Sequence, residues 1–463
     1  MLSEFLEQLQ SWAESHSLLF GNDTAAYCVD QRRRYQGQTL AVARPNSVQQ
    51  LAQIVQLCAQ HRIAMVPQGG NTSLCGAATP DQTGQNIIIS FERMNQIIEV
   101  DADNNTITVE AGVTLQQVQQ AALAANRLFP ANWAAAASCQ IGGALATNAG
   151  GVNVLRYGNM RELTLGLEVV LADGTIWNGL RGLRKDNTGY DLKQLFVGAE
   201  GTLGLISRAV LRLYPLPTAH ATALVAVDSP ADAVTLLRDL QAKVSDRITS
   251  FELISRPCLD LLHQHFPSLQ SPFAEPPAWC VLLELSDGGN SEHLFEQLAS
   301  ILFETGFADT YVAQNQRQAT DFWRLREHIP EAQRLEGVSI KHDISIPVGD
   351  IPEFLTTCQS NIMLQYPDAN IVAFGHLGDG NLHYNLFLSD KTALIYQQEA
   401  AINAIVYQLV AHFNGSISAE HGIGQLKKST LSQYRSSTEL LLMNSIKQTL
   451  DPLGLMNPGK VLI

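Results

Sequence analysis

Between residues 138 and 151 the chain reads Ser-Cys-Gln-Ile-Gly-Gly-Ala-Leu-Ala-Thr-Asn-Ala-Gly-Gly, almost free of large side chains. Such a segment lets backbone come close to a bulky flat ligand, with donors from Ser138, Thr147 and Asn148. Without a ligand it would serve as a tightly packed Ala/Gly helix. A second loop, Pro67-Gln-Gly-Gly-Asn-Thr-Ser-Leu74, follows an apolar strand. Its adjacent Gly69 and Gly70 let successive N–H groups point at one anion. A third, Gly198-Ala-Glu-Gly-Thr-Leu-Gly204, opens another strand. Three such loops predict one large cofactor wrapped by one domain. No strict GxGxxG and no Walker A motif occurs, which counts against a Rossmann dinucleotide domain, against NAD and against ATP chemistry.

Chemistry is signalled further along, in Phe374-Gly-His-Leu-Gly-Asp-Gly-Asn-Leu-His-Tyr-Asn385. Asp379-Gly380 is a strong two-residue hairpin signal. With those two at the centre of the turn, His376 faces His383 across the hairpin and Asn385 pairs with Phe374 on the same face. Two imidazoles can then reach one metal ion. Ser418-Ala-Glu-His-Gly-Ile-Gly424 offers Glu420 as a third ligand and His421 as a spare base. Two His and one carboxylate with open positions describe a catalytic metal site. The plainer alternative is a Gly-rich hairpin whose histidines bond to backbone.

The chain of 463 residues should hold two or three domains. It is 46% hydrophobic and 16% charged, the balance of a globular protein with a large core. A net charge of -14 argues against a nucleic-acid or anionic-membrane surface but allows a local cationic pocket. Seven scattered cysteines without a CxxC suggest a reducing compartment. The N-terminus lacks a signal-peptide pattern, and Ala400–Phe413 is too short and polar to span a bilayer. The expectation is a soluble cytoplasmic protein with no transmembrane segment and no nucleic-acid partner.

Residues 1–35 look helical, with Leu2, Phe5, Leu6, Leu9 and Trp12 near a 3.6 period. Ser47 reads as the N-cap of an amphipathic helix to Gln60, with Leu51, Ile54, Val55 and Cys58 inward. Short strands follow at 64–67, 86–90, 97–101 and 106–112, then a helix at 115–125 and strands at 164–171 and 204–214. Pro215 and Pro217 mark a boundary. A second α+β segment runs from about 218, with strands at 222–227 and 280–285, and helices at 232–243 and 291–304.

Over nearly its whole length the chain resembles the flavin-dependent D-2-hydroxyacid dehydrogenases of the vanillyl-alcohol oxidase, or p-cresol methylhydroxylase (PCMH), type. The matching stretches are PQGGNTSL at 67–74, SCQIGGALATNAGG at 138–151, LRYG at 155–158, GAEGTLGLI at 198–206, GHLGDGNLH at 375–383, SAEHGIG at 418–424 and LMNPGKVL at 455–462.

The resemblance implies an α+β architecture: a PCMH-type FAD-binding domain of two subdomains (1–217), an α+β cap with the substrate and metal site (218–424), and a C-terminal segment returning to the flavin (425–463). It implies that FAD lays its pyrophosphate on Gln68, Gly69, Gly70, Asn71, Thr72 and Ser73. Ser138, Gly142, Thr147, Asn148, Gly150, Gly201 and Ile206 would line the rest, with Asn457 at the isoalloxazine. Some relatives attach FAD through a His in the first loop; none stands there in this chain, so non-covalent FAD is expected.

In this family the metal ligands would be His376, His383 and Glu420, with Zn²⁺ ahead of Mn²⁺, and His421 would be the general base. Asn385 would hold the reacting carboxylate or hydroxyl, and Arg326 a substrate carboxylate. Lys341 stands where the D-2-hydroxyglutarate members carry a Lys and the D-lactate members do not. Where those members place a hydroxyl residue a turn after the Arg, this chain has Pro330. D-2-hydroxyglutarate is the expected substrate, with D-lactate or glycolate as alternatives. A non-catalytic flavin- or metal-binding protein is the alternative from another class. The acceptor would be an electron-transfer flavoprotein or a quinone, and a homodimer fits the resemblance.

Overall fold

The computed structural model describes residues 2–11 and 17–462. Contacts divide the chain into two units: Met1–Gly150 with Gly158–Leu216 and Glu420–Ile463, and Gly151–Tyr157 with Pro217–Ala419. The first boundary falls between Leu216 and Pro217, within the proline-marked stretch. Unlike the chain-order division at 424, the second break falls before Glu420, and the short excursion 151–157 belongs with the second unit.

The first unit opens with helix Leu2–Ser11, which buries Phe5 and Leu9. Trp12 lies outside the described residues. Helix does not continue to residue 35 as expected. Leu18–Leu19 instead pairs antiparallel with Ala41–Ala43, and a 3₁₀ turn spans Gly21–Tyr27. Gly21 has φ +56, a left-handed conformation that ends any right-handed helix.

Ala41–Ala43, Asn86–Ser90 and Ala64–Gln68 continue this sheet as parallel strands. Asn86–Ser90 is buried throughout, as expected for a central parallel strand covered on both faces. Helix Val48–His61 starts on the Ser47 N-cap, whose hydroxyl accepts from the Gln50 N–H. It buries Leu51, Ile54, Val55 and Cys58. A five-stranded antiparallel sheet follows, in the order Ile97–Asp101, Thr106–Glu110, Leu205–Arg212, Thr164–Val170 and Ile176–Gly179.

The C-terminal segment is tied into this unit by backbone and by Asp451. Met65 and Asn457 exchange bonds with it: the Met65 N–H donates to the Leu455 carbonyl, and the Asn457 N–H to the Met65 carbonyl. Helix Ser437–Leu450 ends at Asp451. That buried carboxylate accepts from the Leu455 and Met456 N–H groups and from Lys447, whose Nζ also reaches the Thr202 carbonyl.

The second unit is one seven-stranded antiparallel sheet. Its order is Thr310–Val312, Ala219–Val227, Trp279–Asp287, Ile248–Ser255, Asn370–His376, Asn381–Phe387 and Ile340–Ser345. Helices Arg256–His265 and Gln316–Glu336 pack with one face through Cys258, Phe322, Leu325 and Ile329 against Ile254, Leu282, Val372 and Phe374. The excursion 151–157 docks here. The Ser250 hydroxyl donates to Asn153 at 3.1 Å, and Arg156 donates to the Ser286 hydroxyl at 2.6 Å. Among the described residues, no helix is long and apolar enough to cross a membrane.

Asp451→Ala should lower stability by roughly 2–3 kcal/mol, because three donors lose a buried anionic acceptor. Chemical denaturation measures the loss.

Candidate functional site

In the first unit the glycine-rich loops converge. A Cβ on Gly70 would lie 1.8 Å from the Ser138 carbonyl oxygen, so the first two loops touch backbone to backbone. Gly69 faces Gln140, and Gly201 presses on Pro67. The Gly198 and Glu200 N–H groups donate to the Leu145 and Ala146 carbonyls, joining the third loop to the second. The Asn457 amide donates to the Ala77 and Glu200 carbonyls at 3.1 and 2.8 Å. Residues 141–147 form a short helix, and Asn148 closes it in the left-handed conformation. Gly142 packs on Ala111, whereas Gly143 faces open space.

Several side chains assigned to the cofactor hold the loops in shape. Gln68 donates to the Tyr27 and Ala78 carbonyls, Asn71 to the Val29 carbonyl, and Thr147 to the Gly143 carbonyl. Asn148 accepts from the Arg161 N–H. Buried Ser73 Oγ, Gln140 Oε1 and Asn457 Oδ1 have no hydrogen-bond partner. Orphaned buried polar atoms are costly, and a polar ligand lying along these loops would satisfy them.

The segment after Ala419 is clamped by a residue that pattern reading missed. The buried carboxylate of Glu200, whose φ is +51, accepts from the N–H groups of Ile423 at 2.7 Å and Gly424 at 2.9 Å. The glycines of this motif are required by close approach. A Cβ on Gly422 would meet Glu200, and one on Gly424 would lie 2.2 Å from the Cys75 carbonyl. Glu420 and His421 thus begin a segment fixed from its far side. Burial pushes the Glu200 pKa up to about 7, against the pull of the two N–H groups, Lys427 and Lys460. Burial likewise pushes Lys460 down to about 8. An acidic residue within a Gly-rich loop was the only signal for Glu200.

In the second unit the histidine hairpin differs in register from the expectation. Phe374, not His376, opposes His383, and Val372 opposes Asn385. The turn is longer, a 3₁₀ turn over Leu377–Asp379 closed by Gly380 at φ +87. The Gly380 N–H donates to the His376 carbonyl at 3.1 Å. A slip of two residues leaves the facing of every side chain unchanged. His376 and His383 therefore still share a face as diagonal neighbours, with ring centroids 5.8 Å apart and a ligand nitrogen of each within 4.8 Å of the other.

That face carries a row of polar groups. The His376 Nδ1 donates to Glu252 at 2.6 Å, and the Arg326 Nε donates to the other Glu252 oxygen at 2.7 Å. Glu252 is wholly buried. Burial pushes its pKa up, but His376 and Arg326 outweigh that and hold it down at about 2. The ionised carboxylate fixes the His376 tautomer, with the proton on Nδ1 and the lone pair on Nε2. Asp343 opposes His383 and Lys341 opposes Asn385. Asn381 donates to Asp343 at 2.9 Å. Asn385 donates to Gln333.

Arg326 also lies over the Phe374 ring at 4.8 Å. Among the described residues, none accepts from its two terminal nitrogens. Glu252 was missed although its strand alternates Phe251, Glu252, Leu253 in a buried run, which marks one charged face.

The chain matches the FAD binding domain over residues 39–179 and the C-terminal domain of FAD linked oxidases over residues 216–461, and it belongs to the FAD-linked oxidase family. It is 37% identical to D-2-hydroxyglutarate dehydrogenase of Xanthomonas citri pv. viticola, covering 95% of this chain and 92% of that one. It is 36% identical to the enzyme of that name from Stutzerimonas stutzeri, covering 98% of both. The mitochondrial D-2-hydroxyglutarate dehydrogenase of Rattus norvegicus is 37% identical over 94% of this chain and 80% of that one. In fold, the chain matches p-cresol methylhydroxylase with a TM-score of 0.79 at 17% identity, over 99% of this chain and 96% of that one. FAD is therefore the cofactor of the first unit, and the three orphaned polar atoms on its loops fit so polar a ligand.

The raised pKa of Glu200 carries a sign opposite to that of most carboxylates. Its folded value lies above its unfolded one, so its contribution is present below about pH 4.5 and is lost as pH rises through about 7. The stability of wild type relative to Glu200→Gln should fall by roughly 2–3 kcal/mol between pH 5 and pH 8. Denaturation midpoints of both proteins across that range test it; a flat difference contradicts the assignment.

Proposed function

We propose that this chain oxidises the 2-hydroxyl of a D-2-hydroxyacid, D-2-hydroxyglutarate first, to the 2-keto acid. The observation that carries the reading is the His376–His383 pair, with ligand atoms within 4.8 Å and the His376 tautomer fixed by Glu252. FAD, when bound, supplies the hydride acceptor, and a divalent metal supplies a Lewis acid that lowers the pKa of a ligated hydroxyl. His376, His383 and Glu420 would hold the metal. Glu420 directly follows Ala419, whose N–H donates to the Asp343 carbonyl of the same sheet at 3.3 Å. Two imidazoles and one carboxylate suit Zn²⁺ and also accept Mn²⁺.

His421 then removes the hydroxyl proton as general base. Asn385 holds the reacting end of the substrate. Arg326 is oriented by Glu252 through Nε, which leaves its terminal nitrogens for a carboxylate. Lys341 supplies a second cation one row away.

The reading extends to partners and compartment. Without a nicotinamide fingerprint, the electron acceptor is an electron-transfer flavoprotein or a quinone. Seven buried cysteines, none of them in a disulfide among the described residues, support a reducing compartment, and we assign the cytoplasm. A homodimer is carried as the oligomeric state. A D-lactate-type specificity is the competing reading, because Pro330 offers no donor beside Arg326.

D-2-Hydroxyglutarate should bleach the flavin band under anaerobic conditions. Chelation should abolish bleaching while FAD stays bound, and Zn²⁺ or Mn²⁺ should restore it. His383→Ala should reduce its flavin at least roughly a hundredfold more slowly and resist metal rescue. Bleaching at the wild-type rate in that variant removes the metal site, and no bleaching by any hydroxyacid removes the function.

Acid precipitation should release all the flavin into the supernatant, because the 68–73 loop carries no histidine. Yellow precipitate would show a covalent link.

A further inference from the structure

The antiparallel sheet of the first unit carries an exposed surface that the chemistry above does not use. Residues 180–192 link strand Ile176–Gly179 to helix Lys193–Phe196 without regular secondary structure. Most connections run about 4–6 residues, and much longer irregular ones usually have a function. This one is held in shape by its own bonds. Arg181 pairs with Asp186 at 2.8 Å, the Thr188 N–H donates to the same carboxylate at 3.1 Å, and Lys193 pairs with Asp191. Its backbone rests on the sheet. A Cβ at Gly182 would lie 2.9 Å from the Asn104 amide nitrogen and 3.6 Å from Thr106, and that amide donates to the Gly182 carbonyl at 3.0 Å. Asn104 belongs to the turn at 102–105, which is fixed in its own right. Asp101 accepts from the Asp103 and Asn104 N–H groups, and Arg127 donates to the Ala102 carbonyl.

This ordered surface holds out apolar side chains together with idle charges of both signs. Tyr190 is 94% exposed and Leu183 57% exposed. Arg184 and Lys185 are exposed beside Leu183, and among the described residues neither side chain has a hydrogen-bond or ion-pair partner. The Asp103 carboxylate, one residue from the Asn104–Gly182 bond, is exposed and without a partner too. A tyrosine and a leucine displayed on a rigid loop are the kind of contact that interfaces bury. The charges select the occupant. A partner of strongly acidic or basic character would call for one sign only. A two-fold contact sets the same patch on both sides, so the patch must itself carry both members of each pair.

We infer that loop 180–192 and turn 102–105 form the two-fold surface on which a second copy of this chain docks. Tyr190 and Leu183 pack about the axis, while Arg184 and Lys185 of each copy face Asp103 of the other. This inference rests on the homodimer reading above and gives that dimer its surface.

The test measures the mass of purified holoenzyme by light scattering after size-exclusion chromatography. Wild type should be a dimer. Arg184→Glu with Lys185→Glu sets like charges together on both sides of the axis, and should raise the dimer dissociation constant at least roughly a hundredfold. Asp103→Lys should do the same from the opposite side, and Tyr190→Ser should weaken the dimer by removing its apolar anchor. Mixing the double variant with Asp103→Lys should restore a dimer, because each copy then meets the opposite sign in both contacts. All the variants should keep the wild-type flavin content, which separates lost docking from lost folding. Should the double variant lose its flavin, Asp103→Lys and Tyr190→Ser carry the test. Variants that stay dimeric, or a mixture that stays monomeric, overturn this surface and leave the homodimer standing. A monomeric wild type overturns both and leaves the loop to a different partner.

Discussion

The second unit depends on one buried carboxylate. Glu252 has no exposure, and each of its oxygens takes one charge-assisted or ring N–H donor, from Arg326 and from His376. Burying an anion costs several kcal/mol, and such a pair need not add net stability. What it contributes is orientation. Because the carboxylate holds the His376 Nδ1 proton, the opposite ring nitrogen is presented as a lone pair. Because it holds the Arg326 Nε, the guanidinium is fixed on one edge over Phe374, with its terminal nitrogens uncommitted. One side chain thus sets the direction of both an imidazole and a guanidinium, and the strand that supplies it lies in the middle of a seven-stranded sheet.

The first unit solves a different problem by omission. Its loops approach each other so closely that side chains are excluded: Gly70 on the Ser138 carbonyl, Gly424 on the Cys75 carbonyl, Gly422 on Glu200. The polar side chains that remain mostly bond loop backbone. Gln68, Asn71 and Asn148 act as struts, which explains why these residue types recur beside the glycines without themselves having to touch a cofactor. Glu200 extends the same device to the segment that begins with Glu420 and His421.

Local pattern made much of this legible. The Ser47 cap, the strand at 86–90 and the helix at 291–305 follow from propensity and periodicity within a few residues of one another. Loss was greatest where a distant partner decides. Glu252 and His376 are 124 positions apart, and Glu200 lies 223 positions from Ile423, so neither clamp leaves a local trace. The N-terminal stretch was misread because apolar spacing outweighed Gly21, whose positive φ forbids helix. In the hairpin Asp379-Gly380 is not the whole turn. Asp379 instead accepts from the Asn381 N–H in a side-chain-closed turn, and Gly380 caps a 3₁₀ segment.

That last error was harmless for a physical reason. Strand side chains alternate with a period of two, so a register error of two residues moves positions along the strand without exchanging faces. An error of one would have sent Asn385 and both histidines to the side of Tyr384, Phe354 and His342, an aromatic core without a carboxylate beside them. Polar identity at alternate positions 381, 383 and 385, against Leu382, Tyr384 and Leu386 between them, is what ties the face to the chemistry. The same alternation on the neighbouring strand sets Lys341 and Asp343 apart from Ile340, His342 and Ile344. Facing is thus carried by the alternation itself, whereas which residues stand directly opposite is decided by the turn.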